Sequence, residues 1–263
     1  MSKDHETKSD ERTCSKTSAK AVTDIIGLAR NMQDEFGEFE DFLFFAMPLA
    51  AKSRSQHIQD LWAAWINRSA QDPYFVEFGA ANGVALSNTY LLEKEFGWSG
   101  VVAEPNPKFA ADLPKNRDCT ISTKCVYTKS GETVDFLAPK RALLGRIAHI
   151  KPDDRQEREG KRDVPPIQVD TISLNDLLLE AKAPETIDFM SIDTEGSELS
   201  ILEAFDFTKW DVRTICVEHS RTDIRGKLEQ LLTSNGFFRV WPSLSKADDW
   251  YVKAGSAQAR VLE

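Results

Sequence analysis

Apolar positions along the chain follow two rhythms. Before about residue 70 they recur at helical spacing. Val22, Ile25, Ile26 and Ala29 share one face of a helix predicted over 21–36, and residues 38–51 form a second, greasy helix ending near Pro48. Ile58, Leu61, Trp62, Trp65 and Ile66 share one side of a third helix over 55–68. From Pro73 onward short apolar runs alternate with helical stretches. Strands are predicted over 74–78, 100–103, 120–127, 133–137, 187–192, 212–217, 237–241 and 250–253. Helices are predicted over 84–96, 108–113, 174–181, 199–205 and 225–234. Strand alternating with helix is the signature of a parallel sheet with right-handed crossovers. The expected fold is therefore α/β, a Rossmann-like doubly wound sheet of about seven strands with a terminal antiparallel hairpin.

Three segments fall outside that rhythm. Residues 1–20 are polar and read as a disordered tail. Residues 21–70 lack a core of their own and read as an N-terminal helical cap on the domain at 71–263. Within that domain, 138–166 is a basic insert, with eight lysines and arginines against five acids.

Composition narrows the function classes. The chain has 263 residues, 33 Lys+Arg and 42 Asp+Glu, a net charge of −9. That balance opposes wholesale binding to nucleic acid or anionic lipid, so neither is expected as a partner. Cys14, Cys119, Cys125 and Cys216 form no C-x-x-C pair, which points to reduced thiols and a cytoplasmic location rather than a disulfide framework or a zinc site. The longest apolar run, 42–51, is broken by Pro48 and too short to span a bilayer.

In an open doubly wound sheet, ligands bind beyond the carboxyl ends of the strands. The first such end reads Glu77-Phe78-Gly79-Ala80-Ala81-Asn82-Gly83. A dinucleotide fingerprint would place a glycine where Ala81 stands. A carboxylate at Glu77 would repel a pyrophosphate and suit a cationic cofactor such as S-adenosylmethionine, which carries a sulfonium and an ammonium. Glu104 ends the second strand, where an acid can accept both hydroxyls of a ribose. The later ends contribute Asp193-Thr194-Glu195-Gly196 and Glu218-His219.

These stretches resemble the FkbM-type family of S-adenosylmethionine-dependent methyltransferases. The resemblance runs from Ser55 to Val252. It rests on Ser55-Gln56 with Gln59-Asp60, Phe75-Val76-Glu77-Phe78-Gly79-Ala80 with Asn82-Gly83, Leu86-Ser87-Asn88-Thr89 and Ala103-Glu104-Pro105. Ile192-Asp193-Thr194-Glu195-Gly196-Ser197-Glu198, Val217-Glu218-His219 and Asp249-Trp250-Tyr251-Val252 complete it. It implies a class I methyltransferase fold, S-adenosyl-L-methionine as cofactor and O-methylation of a small-molecule or carbohydrate hydroxyl. The cofactor-binding candidates are Glu77, Gly79, Ala80, Asn82, Gly83, Glu104, Asp193 and Gln59, the last on a helix able to fold over the cofactor. The catalytic candidates are Asp193, His219 and Glu195. Asp193 could bind the cofactor amine, orient the acceptor hydroxyl or take its proton; the competing reading is that Asp193 and Ser197 only cap the next helix. Asp193, Glu195 and His219 could together hold a hard metal ion, but no second ligand spacing accompanies them, and no metal is assigned. Two other functions fit less well: a non-catalytic adenosine-binding scaffold, which intact Asp193 and His219 disfavour, and a nucleotide-dependent oxidoreductase, which Glu77 disfavours.

Overall fold

The structure is a computed structural model that describes residues 36–139, 144–150, 165–219 and 222–262. The tail, most of the helix expected over 21–36 and much of the basic insert lie outside the described residues. Among the described residues, no helix is long and apolar enough to cross a membrane.

The centre is a seven-stranded sheet built from β1 (Tyr74–Phe78), β2 (Ser99–Ala103), β3 (Thr120–Ser122), β8 (Thr186–Ile192), β9 (Asp211–Glu218), β10 (Phe237–Val240) and β11 (Asp248–Lys253). Its order is β10-β11-β9-β8-β1-β2-β3. The neighbours from β3 through β9 run parallel, and β11 runs antiparallel to both β9 and β10. This is the doubly wound arrangement expected from the alternating pattern, terminal antiparallel pair included, and it agrees with the class I methyltransferase fold that the resemblance implies. The chain reverses direction of winding between β1 and β8, so their carboxyl ends flank the switch point. β1 is buried at all five positions, as a central strand covered on both faces must be.

Helices cover the two faces. On one lie α1 (Phe36–Ala46) and α2 (Gln59–Ile66), whose Phe39, Phe42, Trp62 and Trp65 pack with Trp241 and Trp250. Trp62 stacks on Trp250 with ring centroids 5.0 Å apart and Trp65 on Trp241 at 5.2 Å. Such pairs add about 0.5–1.5 kcal/mol each beyond the area they bury. On the other face lie α5 (Leu174–Glu180), α6 (Glu198–Glu203) and α7 (Thr222–Ser234), whose Leu177, Leu202 and Leu228 pack with the sheet's Ile187, Met190 and Ile215. Three further short helices, α3 (Tyr90–Phe96), α4 (Leu113–Asn116) and α8 (Pro242–Ser245), fill connections.

Three expectations need correction. The strand expected over 120–127 breaks at Thr123 and Lys124. Its second half, β4 (Cys125–Tyr127), leaves the main sheet and pairs with β7 (Ile167–Ser173). With β5 (Thr133–Leu137) and β6 (Arg146–Ile147) these form a second sheet, ordered β4-β7-β5-β6. It curls until its edges approach: the Tyr127 hydroxyl lies 3.1 Å from His149 Nε2. Second, the helix expected from residue 84 begins only at Tyr90, because Ser87, Asn88 and Thr89 turn their donors toward Glu77. Third, the helix expected over 55–68 begins only at Gln59. Asp60, fully buried, folds the preceding stretch by accepting from the Ser53 and Ser55 hydroxyls and the Arg54 amide.

Candidate active site

The turn after β1 is shaped by close approach. Gly79 has φ +84°, and a Cβ there would fall 1.8 Å from the Asp193 carbonyl oxygen. Only glycine lets the β1 turn lie against the end of β8. Gly83, at φ +79°, is held less tightly, with Leu113 and Arg117 side-chain carbons 2.7 and 2.6 Å from where a Cβ would sit. Asn82 closes the turn, accepting from the Val84 and Ala85 amides. Ala80 is buried.

Glu104 directly follows β2 and is almost buried. Its carboxylate accepts from the Ala81 amide at 2.8 Å and the Asn106 amide at 2.7 Å, one per oxygen. Burial raises its pKa, and those two hydrogen bonds oppose the rise. Each oxygen keeps a further lone pair that can accept a hydroxyl.

The Asp193 loop is organised by Glu198, whose Oε1 accepts from the Thr194 amide, the Thr194 hydroxyl and the Gly196 amide, each at 2.9 Å. It holds Glu195 at φ +59°, a left-handed conformation uncommon outside glycine. The capping reading does not hold: Ser197 is the N-cap of α6 but makes no side-chain cap hydrogen bond, and its hydroxyl donates to Thr194 Oγ1.

These three strand ends line one pocket. Gly79, Glu104 and Asp193 meet there with Thr194 and Ser197. The opposite wall comes from the second sheet, through Cys125, Val126, Phe136 and Ile147. It is apolar, and no sequence pattern pointed to it.

Asp193 is open to the cleft and hemmed in by protein elsewhere. Burial, then repulsion from Glu195, pushes its pKa well above the ordinary carboxylate value, against a hydrogen bond with Glu218. The charges of Asp248 and Glu198 act in the same upward direction. Asp193, Glu195 and Glu218 bring ligand oxygens within 4.8 Å of one another, a set able to hold a divalent cation. The third member is Glu218, not the expected His219. Asp248 stands directly across from Glu218 in the antiparallel register and accepts a hydrogen bond from Gln59 Nε2.

Seven expected site residues are not among the pocket's lining residues: Ala80, Asn82, Gly83 and Glu195, which flank lining residues in the β1 turn and the Asp193 loop, and Glu77, His219 and Gln59, which are held elsewhere. Glu77 is 4% exposed and its carboxylate is filled by protein donors: the Ser87 hydroxyl (2.8 Å), the Asn88 amide (2.7 Å), the Thr89 hydroxyl (2.6 Å) and Arg117 Nη1 (3.3 Å). A strand's side chains alternate, and Glu77 lies on the face of α3 and Arg117 rather than toward the cleft. His219 alternates away from Glu218, onto the face that carries Asp249, and its Nε2 lies 3.6 Å from Asp249 Oδ1. Asp249 is itself held by Arg225 through two contacts of 2.7 and 2.8 Å. Gln59 is buried against Asp248 and is not among the pocket's lining residues.

Comparison with family models matches residues 77–239 to the methyltransferase FkbM domain, well over half the chain. The chain belongs to the FkbM methyltransferase family. The matched span begins at Glu77 and takes in the glycine turn, Glu104, Asp193 and Glu218 of this FkbM-family methyltransferase. No curated protein matches it significantly. Among solved structures it is similar to precorrin-6y C5,15-methyltransferase from Geobacter metallireducens GS-15, at 12% identity and TM-score 0.39, over 73% of this chain and 85% of that one. It is also similar to ribosomal protein L11 methylase from Lactobacillus delbrueckii subsp. bulgaricus, at 9% identity and TM-score 0.35, over 74% and 77%. A third, the delta-N METTL16 MTase domain, gives 13% identity and TM-score 0.34 over 75% and 82%. Likeness at these scores carries no argument about the reaction or its substrate.

Proposed function

We propose that this FkbM-family methyltransferase uses S-adenosyl-L-methionine to methylate a hydroxyl oxygen of a small molecule or carbohydrate. The observation that carries this reading is the convergence of Gly79, Glu104 and Asp193 on one pocket at the switch point of the sheet. The residues present fit such a donor. Glu104 offers the lone pairs that two ribose hydroxyls would take, and the apolar second-sheet wall suits a base. The backbone at Gly79 carries no side chain to keep a ligand away, and the acids around Asp193 suit an ammonium or a sulfonium. Bound there, the donor would supply a methyl group on a good leaving group.

Transfer needs an acceptor oxygen aligned with that methyl group, in a cleft that keeps water out. A hydroxyl also needs a base. A carboxylate with a raised pKa takes a proton more readily near neutral pH than an ordinary one. Asp193 meets that requirement: burial and the charge of Glu195 raise its pKa, against a hydrogen bond with Glu218. His219, placed beside Asp249, is left with a supporting role at the edge of β9.

Calorimetry with the purified chain tests the donor: S-adenosylmethionine and its demethylated product should bind and NAD should not. Binding of NAD alone would overturn the assignment. A screen of hydroxylated acceptors by mass spectrometry, read as the gain of one methyl group, tests the reaction. Methylation found only at nitrogen or carbon would refute the O-transfer reading.

A further inference from the structure

Behind Glu104 the chain makes a short series of hydrogen bonds that ends on the second sheet. Glu104 Oε1 accepts from the Asn106 amide at 2.7 Å, and Asn106 Oδ1 accepts in turn from the Lys108 amide at 3.1 Å. This fixes the Pro107–Phe109 turn, a single 3₁₀ turn with Asn106 as its N-cap. Lys108 Nζ then reaches across to the end of β5. It donates to the Ala138 carbonyl at 2.8 Å and the Pro139 carbonyl at 2.5 Å. Phe136, two residues before Ala138, lines the pocket opposite Glu104.

The two walls of the pocket belong to different sheets. Glu104 directly follows β2; β5 carries Phe136. Among the described residues no strand pairing joins them; β5 pairs there with β6 and β7. A charged donor on two backbone carbonyls ties the end of β5 directly to the turn after β2, a link the strand pairings of β5 do not supply. From this we propose that Lys108 is a positioning residue for the methyl donor. Its ammonium fastens the end of β5 to the turn behind Glu104 and so sets the width of the pocket between Glu104 and Phe136. The inference rests on the reading of that pocket as the donor site. Lys108 touches no donor. It acts by holding the walls at the spacing a ligand needs before the ligand arrives, which lowers the ordering cost of binding.

The test compares wild type with Lys108→Met and Lys108→Arg, using S-adenosylhomocysteine as the probe in calorimetry and thermal unfolding of the same ligand-free samples. Lys108→Met keeps the aliphatic stem and loses the donors, so affinity should fall by about tenfold while the melting midpoint stays within a degree or two. Lys108→Arg, with donors enough for both carbonyls, should recover most of the affinity. Wild-type affinity in Lys108→Met overturns the proposal. So does a loss of affinity that tracks a fall in melting midpoint and that arginine does not rescue, because Lys108 would then serve only the fold. If wild type itself fails to bind the probe, the donor-site reading falls, and the proposal falls with it by a distinguishable route.

Discussion

Replacing Glu77 with alanine should cost the protein its stability before it costs a ligand contact. Four donors converge on that carboxylate, and one of them is a guanidinium with almost no access to water. Arg117 also donates to Glu93 at 2.6 Å and to the Thr89 hydroxyl at 2.8 Å, and it lies over the Phe75 ring at 5.3 Å. Removing one partner of a buried ion pair costs about 3–5 kcal/mol, because the survivor keeps its desolvation penalty. Glu93 still neutralises Arg117, which places the charge component at the low end. The stranded donors of Ser87, Asn88 and Thr89 add about 1 kcal/mol or more apiece, less than additively. The sum for Glu77→Ala is therefore about 3–5 kcal/mol. In a chain of this size that lowers the melting midpoint by roughly 6–20 °C.

Urea unfolding followed by tryptophan fluorescence measures this directly. Arg117→Met should be at least as harmful, since it leaves Glu77 and Glu93 as neighbouring buried anions. The double variant should be much less destabilised than the sum of the two singles, as expected for residues in one network. A Glu77→Ala protein that melts with wild type while losing donor affinity would refute the reasoning and return Glu77 to the ligand. So would additive losses in the double variant.

Three further outcomes follow from the same geometry. Gly79→Ala forces a side chain into the Asp193 carbonyl at positive φ, so it should destabilise by about 1–3 kcal/mol and abolish donor binding, read by calorimetry on the folded fraction. Burial raises the Glu93 pKa, but the Asp118 amide and Arg117 outweigh it and hold it down at about 2. A depressed pKa stabilises the fold above the ordinary value of 4.5 and loses that stabilisation as pH falls toward 2, so acid unfolding should set in across that window and flatten in Arg117→Met. Asp193 is shifted the other way, so its ionised form strains the folded state above the ordinary 3.8. Asp193→Asn should raise the melting midpoint at pH 7, lose that gain below pH 3.8, and lower turnover on the order of a hundredfold or more.

The sequence carried the main sheet well, because each parallel strand is an apolar run buried on both faces and each crossover helix has its own period. It carried the second sheet badly. β7 has a readable alternation of Ile167, Val169 and Thr171 with Gln168 and Asp170, yet it follows a charged insert and two prolines that mask it as a loop. β4 was read only as the second half of one strand over 120–127, because a break of two residues that sends a strand to another sheet has no signature in hydropathy.

The site divides along the same line. Gly79, Glu104 and Asp193 were legible because each ends a recognisable strand, and strand ends on one rim converge whatever the side chains do. Glu77 stands one position inside the end of β1 and His219 one position beyond Glu218, where alternation decides which face a side chain takes. At Glu77 the deciding partner is Arg117, 40 residues away, and at His219 it is Asp249 on an antiparallel neighbour. Asp248 reaches the rim only through the β9–β11 register, across from Glu218, which ends the parallel β9 beside the end of β8. Parallel crossovers make position along the strand a sufficient guide to the rim, whereas antiparallel register and ion-pair partners are settled by tertiary packing. The chemistry-bearing residues that escaped the sequence are accordingly those supplied by β11 and by the second sheet, the two parts of this fold that do not obey the parallel winding.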